Sequence, residues 1–250
     1  MTLENEDDLA GMQAIGRICA NVLQHMATSV RPGMTTAELD LIGRRMLDAA
    51  GARSAPESCY AFPGATCISI NEEVAHGIPG ERVIGEGDLI NIDVSAERDG
   101  YFADTGASFA VGRVAPAVER LCRDGKRALW AGLKEVKAGK PLSDIGTAIG
   151  AFARKNRYTL IANLASHGVG RSLHEEPTEI ATWPDPRETR RMTEGLVFTV
   201  EPFLSLGADW AEGGDKDEWT LYSEPRAPTV QFEHTVVATR DGPLVLTLPG

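Results

Sequence analysis

The order of helix and strand patterns constrains the fold more than any other feature of the sequence. Apolar residues recur at spacings of three and four over residues 9–26, which predicts an amphipathic helix. Thr35 and Glu38 form a capping-box pattern, which predicts a second helix. Strand patterns follow, then helix patterns over 116–136 and 143–155, then strand patterns again. Each half thus places two helices before its strands, which is typical of an α+β fold.

The strand patterns indicate hairpins rather than crossover units. Alternation with period two predicts strands at 67–70 and 89–94, and a turn at 98–100 joins the second to a returning strand over 101–111. We expect Ser143 to cap its helix. The last third carries further strand patterns at 159–162, 196–201, 230–238 and 244–248. No linker or low-complexity tract interrupts the chain, so we expect one domain of two similar halves over residues 1–250.

Composition excludes several classes of protein. With 36 acidic and 25 basic side chains the net charge is -11, so a broad nucleic-acid-binding face is not expected. No apolar run is long enough to span a membrane, and the acidic first residues do not resemble a secretory signal. The four cysteines show no CxxC spacing. We therefore expect unpaired thiols and a cytoplasmic protein.

Four carboxylates occur in strand-forming, apolar surroundings: Asp93, Asp104, Glu201 and Glu233. A single strand carboxylate is more often structural, but four together need an explanation. A buried ionised carboxylate costs several kcal/mol unless something offsets its charge, and a divalent cation does so. The sequence therefore predicts a metal site.

The predicted hairpin strengthens this hypothesis, because it places Asp93 and Asp104 within about one residue of facing each other. Opposed carboxylates repel but are tolerated when they share a metal. An oxygen-rich set with one imidazole favours Mn(II), Fe(II) or Co(II) over a thiolate zinc site. With four carboxylates for one histidine, two bridged ions fit better than one.

Three of the five histidines lie in loops beside glycine or before acidic residues. They are His76 in Ala-His-Gly-Ile-Pro, His167 in Ser-His-Gly-Val-Gly and His174 in Leu-His-Glu-Glu-Pro. Glycine beside a histidine permits tight turns and close backbone approach. His234 adjoins Glu233 and should face the opposite side of its strand, so we interpret it as structural.

Six motifs in order resemble the methionine aminopeptidases, and in particular the short bacterial type I enzymes. They are Asn-Ile-Asp93-Val, Asp104-Thr, Ser-His167-Gly-Val-Gly, Leu-His174-Glu-Glu-Pro, Thr-Val-Glu201-Pro and Gln-Phe-Glu233-His-Thr. The resemblance covers nearly the whole chain, from the first helix pair to Val237. Only 33 residues separate His167 from Glu201, so the helical insertion of the type II enzymes is not expected.

The resemblance implies a pita-bread fold, a curved antiparallel sheet with helices on its outer side and pseudo-two-fold halves. It implies two divalent ions per chain: Asp93 binds one, Asp104 and Glu233 bridge both, and His167 with Glu201 completes the other site. It also implies removal of the N-terminal methionine from nascent proteins and peptides with a small second residue, by metal-activated water. Glu201 would relay the proton, His174 would bind the carbonyl oxygen and His76 would assist at the scissile nitrogen.

By the same resemblance, the methionine pocket would involve His76 and His174 together with Cys59, Phe62, Cys67, Leu173 and Trp219. Cys59 and Leu173 stand where the family commonly carries aromatic rings, and Ser166 replaces a usual glycine. An altered hydrophobic pocket changes discrimination by only ~1–3 kcal/mol. We therefore expect methionine still to be accepted, unless neighbouring side chains refill the volume.

The alternatives are a relaxed-specificity aminopeptidase of the same fold, a proline-directed peptidase, a non-catalytic pita-bread binding module and a mononuclear iron oxygenase. Proline-directed relatives normally carry a long N-terminal domain, for which 250 residues leave no room. A binding module would have eroded ligands, and the oxygenase needs two histidines and one carboxylate. The resemblance also implies a transient ribosome contact, and we expect a monomer.

Overall fold

The structure, a computed structural model, describes residues 1–250 and contains five helices. They are α1 (Glu6–Ser29), α2 (Thr36–Ala49), α3 (Ala55–Tyr60), α4 (Pro116–Leu133) and α5 (Ser143–Asn156). Four of them lie where apolar periodicity predicts helices. The fifth, α3, has only six residues and was not predicted, because so short a helix shows no periodicity. None of the five has the length and apolar composition that crossing a bilayer requires.

The helix ends confirm one capping prediction and correct another. Thr35 Oγ1 accepts a hydrogen bond from Glu38 N, and the Glu38 carboxylate accepts one from Thr35 N, so the capping box is present. The prediction that Ser143 caps α5 is wrong. The residue before the helix is Leu142, in a helical conformation, and no side chain caps the first turn. A preceding turn takes that role, because the carbonyl of Leu142 accepts from Ile145 N.

Fifteen strands, most of them short, form four antiparallel groups. They are β1 (Arg53–Ser54), β2 (Cys67–Ile70), β3 (Glu73–Ala75), β4 (Leu89–Arg98), β5 (Tyr101–Ala110), β6 (Thr159–Leu160), β7 (Ser166–Gly168), β8 (Glu175–Ile180), β9 (Val197–Val200), β10 (Phe203–Ser205), β11 (Trp210–Gly213), β12 (Leu221–Glu224), β13 (Thr229–Gln231), β14 (His234–Thr239) and β15 (Gly242–Val245). The predicted hairpin is confirmed as β4 and β5, which turn at Asp99 and Gly100, both with positive φ.

The β4 pleat separates a helix-packed face from a polar face. Ile90, Ile92 and Val94 belong to a core cluster of 22 buried residues, to which α1 and α2 also contribute. The alternating residues Asn91 and Asp93 therefore point to the opposite face. This pattern places the first-half helices outside the sheet and leaves its other face free for polar side chains.

The second half repeats this layering. Strands β15, β14, β9, β7 and β8 form a five-stranded sheet in that order, and β13, β10 and β6 form a smaller one. A core cluster of 12 buried residues joins these strands to α4 and α5, with Phe198 at 0% exposure. Helices thus cover one side of the antiparallel sheets in both halves, which confirms the α+β class.

The predicted strand over residues 230–238 is in fact two strands, β13 and β14, interrupted at Phe232 and Glu233. The cause is pairing with the other half of the molecule. Phe232 forms a bridge with Ala107, and Glu233 N donates to the carbonyl of Gly106 at 2.9 Å. The chain leaves its own sheet at this point because its hydrogen-bond partners lie on β5.

Candidate active site

Asp93 and Asp104 share the polar face of the first hairpin but are not directly opposite. Asp93 pairs with Gly106, and Asp104 pairs with Ser95, so the two aspartates are offset by two residues. The predicted offset of about one residue is therefore wrong. The hairpin closes on the pair Arg98 and Tyr101, and this register makes the aspartates diagonal neighbours on one face.

Glu201 and Glu233 both lie in gaps between consecutive strands. Glu201 separates β9 from β10, and Glu233 separates β13 from β14. The gaps are adjacent, because Val200 pairs with His234 and Phe203 pairs with Gln231 on either side of them. Both glutamates are buried, and the two interruptions direct them to one point between the halves of the molecule.

His167 comes from β7 and is buried. Its Nδ1 donates to the carbonyl of Gly168 at 3.0 Å, so Nε2 is the free ring nitrogen. That Nε2 lies 3.6 Å from Glu201 Oε1 and 3.9 Å from Asp104 Oδ2. Gly168 is required here, because a Cβ would lie 2.5 Å from the carbonyl oxygen of Glu176. The histidine therefore directs an unprotonated nitrogen at two carboxylates.

The donor set fits a divalent cation. Ligand atoms of Asp104, His167 and Glu233 all lie within 4.8 Å of one another. Asp104 Oδ1 and Glu233 Oε1 are buried and have no hydrogen-bond partner, which is costly for a carboxylate. A cation bound between these residues would satisfy both oxygens.

The pKa shifts of the cluster have one main cause, which is burial. Burial raises the pKa of Asp93 to about 6. It raises the pKa values of Asp104, Glu201 and Glu233 well above their usual range, and the neighbouring carboxylates add to this. Burial also lowers the pKa of His167 to about 3. A cation bound beside these four acids would favour their ionised forms, and the ionised carboxylates and the neutral imidazole could then act as its ligands.

Two supporting residues have no role in the sequence-based prediction. Gln231 Nε2 donates to Asp93 Oδ2 at 3.3 Å and to Glu233 Oε2 at 2.9 Å. Thr199 Oγ1 donates to Glu201 Oε1 at 3.0 Å. Each lies two residues before a glutamate, and that spacing on a strand would place them on the same face. They orient the carboxylates in the way that outer-shell partners orient metal ligands.

His76 and His174 lie at the mouth of the site. His76 adopts a left-handed conformation with φ of 55°. Gly77 follows it, and a Cβ there would lie 2.2 Å from the carbonyl oxygen of Ile68. The His174 ring centroid lies 4.0 Å from that of His167. Burial lowers the pKa of both His76 and His174, which favours the neutral form of each ring.

A cavity of about 360 Å³ opens above the carboxylates. Nine of its 18 lining residues are hydrophobic, and it is walled by the predicted Phe62, Cys67, Leu173 and Trp219. The Phe62 and Trp219 rings meet edge to face at 5.4 Å. Asp93, Asp104, His167, Glu201, His76 and His174 also line it, whereas Glu233 is buried and does not line it. The cavity is therefore apolar at its sides and acidic at its floor.

Cys59 does not line this cavity, which corrects its prediction as a pocket residue. Pro56 and Tyr60 line it instead. Residues four apart on a helix share one face, so α3 presents this pair inward and turns Cys59 to the exposed side. The Tyr60 ring thus forms part of the wall at which Cys59 was expected.

Comparison with known proteins agrees with this geometry. The profile of Metallopeptidase family M24 matches residues 10–240. A methionine aminopeptidase of Staphylococcus epidermidis is 47% identical over 248 residues, which are 99% of this chain and 98% of that protein. The crystal structure of methionine aminopeptidase from Rickettsia prowazekii superposes with a TM-score of 0.94 at 34% identity, over 99% of this chain and 100% of that one.

A prolidase from Pyrococcus furiosus also shares the fold. Its TM-score is 0.79 at 19% identity, and the match covers all of this chain but 66% of the prolidase. The structural matches confirm the pita-bread fold. The chain belongs to metallopeptidase family M24 and, within it, to the methionine aminopeptidases.

Proposed function

We propose that this protein removes the N-terminal methionine from peptides and nascent proteins whose second residue is small. One observation carries the proposal: a buried carboxylate–histidine cluster, with two unpaired oxygens, forms the floor of a half-apolar cavity. In such a site the apolar wall can hold a side chain of the substrate, while the polar groups of the floor face the adjoining peptide bond. The relatives named above are methionine aminopeptidases.

We assign two divalent ions to the site, Mn(II), Fe(II) or Co(II). Asp93 would bind one ion, Asp104 and Glu233 would bridge the pair, and His167 with Glu201 would complete the second site. The free Nε2 of His167 and the unpaired oxygens of Asp104 and Glu233 support this assignment. Hard oxygen donors with a single imidazole suit these metals.

When bound, the ions would supply a nucleophilic hydroxide near neutral pH and a binding site for the free α-amine of the substrate. The protein residues divide the remaining work. Glu201 accepts the proton of the attacking water and relays it to the leaving amine. His174 donates to the scissile carbonyl oxygen as negative charge develops there, and His76 assists at the scissile nitrogen. Both histidines line the cavity above the carboxylates, as these roles require.

The methionine side chain would occupy the apolar wall. The rings of Phe62 and Trp219 pack edge to face on one part of this wall, and the non-aromatic side chains of Cys67 and Leu173 complete it. An unbranched thioether fits such an irregular apolar space well. The side chain of Leu173 is smaller than an aromatic ring, which favours some tolerance for other straight-chain residues.

The wider assignments follow from this activity. We infer that residues 1–250 act as one metallo-aminopeptidase domain, as a monomer, in the cytoplasm. All four cysteines are free, which suits a reducing compartment. Nascent chains as substrates imply a transient ribosome contact, without a nucleic-acid-binding face.

The test is turnover of Met-Ala-Ser, Leu-Ala-Ser and Pro-Ala-Ser by metal-free protein reloaded with Mn(II), Fe(II) or Co(II). We expect metal-dependent cleavage of the methionyl peptide and at least tenfold slower cleavage of the leucyl peptide, from a discrimination of ~1–3 kcal/mol. Comparable leucyl turnover would show a broader aminopeptidase. Tight metal binding without any turnover would instead support a non-catalytic binding module.

A further inference from the structure

His174 makes one side-chain hydrogen bond within the protein, and its partner is Tyr60. The Tyr60 hydroxyl oxygen lies 2.7 Å from His174 Nδ1, and the two ring centroids are 5.6 Å apart. On its other side the imidazole packs against the ring of His167. Tyr60 therefore contacts His174 from the solvent side, at the mouth of the cavity. Tyr60 itself is 44% exposed there.

The direction of the Tyr60 hydrogen bond and the position of the proton on the His174 ring are coupled. The Tyr60 hydroxyl has no other protein partner, and His174 Nε2 has none. If the hydroxyl donates to Nδ1, the neutral ring carries its proton on Nε2, on the side of the ring that Tyr60 leaves free. The opposite tautomer would present a bare lone pair at Nε2, which would repel a carbonyl oxygen.

We propose that Tyr60 is a positioning residue that fixes His174 in the tautomer with the proton on Nε2. The inference rests on the proposed function, in which His174 donates to the scissile carbonyl oxygen. A donor acts at that oxygen only when the proton is on the nitrogen facing it, and a tyrosine hydroxyl that donates to the other nitrogen selects that form. Tyr60 thus acts through His174 and leaves the metal ligands unchanged.

Tyr60 belongs to α3, the short helix that apolar periodicity does not reveal. Ser54 Oγ accepts from Glu57 N at its start, and Ala61 ends it in a left-handed conformation. Pro56 and Tyr60 share its inner face, so the helix fixes the hydroxyl at the cavity rim. The same ring forms part of the wall, which means that removing the hydroxyl alone leaves the shape of the cavity intact.

The direct test is nitrogen-15 NMR of the imidazoles in protein loaded with Mg²⁺, which is diamagnetic, with the His174 signals assigned by their absence in His174→Gln. We expect wild-type His174 to show a protonated Nε2 and an unprotonated Nδ1. In Tyr60→Phe we expect a mixture of both tautomers. A protonated Nδ1 in the wild type, or an unchanged single tautomer in the variant, overturns the inference.

The kinetic test compares Tyr60→Phe with wild type on Met-Ala-Ser, using Mn(II)-loaded protein. We expect kcat to fall about tenfold, the effect of losing one hydrogen bond that orients a reacting group, while KM stays within about twofold because the ring remains. Tyr222→Phe is the matched control, since that tyrosine lies outside the cavity, and it should leave both constants unchanged. A KM effect with unchanged kcat would assign Tyr60 to the pocket wall alone.

The two readouts separate this inference from the proposed function. Should wild-type protein fail to cleave any peptide, the proposed function fails while the NMR result still reports the tautomer. If wild type cleaves the methionyl peptide but kcat is equal in Tyr60→Phe, the function stands and the positioning role is overturned.

Discussion

Gln231 is the side chain that connects two of the four clustered carboxylates. Its amide donates to both Asp93 and Glu233, and its Oε1 accepts from Asn91 Nδ2 at 2.9 Å. A donor held in this way fixes the orientation of the carboxylates before an ion binds. In other metal sites, mutation of such an outer partner lowers metal affinity by about 10- to 100-fold.

Replacing Gln231 with methionine should therefore weaken Mn(II) binding by about tenfold, because the volume is kept and the donor is lost. Titration calorimetry of metal-free protein measures the affinity directly. Gln24→Met is the control, since Gln24 lies exposed on α1. An unchanged affinity in Gln231→Met would mean that the carboxylates are oriented by their strands alone.

Whether a site residue can be predicted from the sequence depends on its type. Asp93, Asp104, Glu201 and Glu233 could be predicted as a cluster, because ionised groups in apolar strand patterns need a compensating charge. Gln231 and Tyr60 could not, because a buried amide and an aromatic hydroxyl are common in any core and carry no such signature. Cys59 was assigned to the wall by matching sequence positions, and only the rotation of α3 shows that Tyr60 faces inward.

At the scale of elements, the loop between β7 and β8 carries His174 and is held against the first half of the chain. Arg171 Nη2 donates to Asp8 Oδ1 at 2.6 Å, and its guanidinium lies 3.9 Å from the Tyr101 ring centroid. These contacts fix residues 170–174 to α1 and β5. The position of His174 over the carboxylates thus depends on contacts between the β7–β8 loop of the second half and α1 and β5 of the first half.

Arg171→Ala should release this loop and lower kcat for Met-Ala-Ser by about fivefold, the scale of one cation–π contact, without altering Mn(II) affinity. Hydrogen exchange of residues 170–175 should become faster in the variant, since the loop loses its anchor. Arg187→Ala serves as the control, because Arg187 pairs only with Asp185 on a distant surface loop. Faster exchange with wild-type kcat would show that the loop tether does not position His174.

Periodicity predicts long elements and misses their interruptions. The two helix pairs and the first hairpin could be predicted because each buries one face. The gap at Glu233 could not, since it arises where the two halves exchange hydrogen bonds, as when Thr105 Oγ1 donates to the Glu233 carbonyl at 2.8 Å. Such pairing depends on residues more than 100 positions apart, which no local pattern reports. The gap at Glu201 could not be predicted either, because its backbone N donates to the side chain of Ser166, 35 residues away.

At the scale of the whole molecule, the site lies between the halves and its charge affects the stability of both. In metal-free protein, burial raises the pKa values of Asp104, Glu201 and Glu233 well above their usual range. The folded state therefore retains protons that the unfolded state has lost near neutral pH. Stability falls with rising pH wherever the folded state binds more protons, so these carboxyls oppose folding as they ionise.

The histidines act in the opposite direction but over a lower range. Burial lowers the pKa of His167 to about 3 and that of His234 to about 4, so the folded state binds fewer protons than the unfolded state. Their contribution raises stability as pH increases and is complete above the unfolded value of about 6.5. The α-amino group of Met1 adds a further rise in stability between about pH 6 and pH 8, because burial lowers its pKa to about 6 from an ordinary value near 8. The carboxyl effect is therefore measured as the difference between metal-free and metal-loaded protein.

Metal-free protein should therefore lose thermal stability relative to protein saturated with Mn(II) as pH rises from about 5 through neutral, because the bound ions keep the carboxylates ionised without penalty. Differential scanning calorimetry of both forms at several pH values makes the comparison, with buffers of matched ionic strength. The difference between the two melting temperatures should widen as pH rises, since ligand binding to the folded state adds to its stability. Parallel pH dependence in the two forms would show that the four acids are not the groups the cation neutralises, and the assignment of the ligands would have to be abandoned.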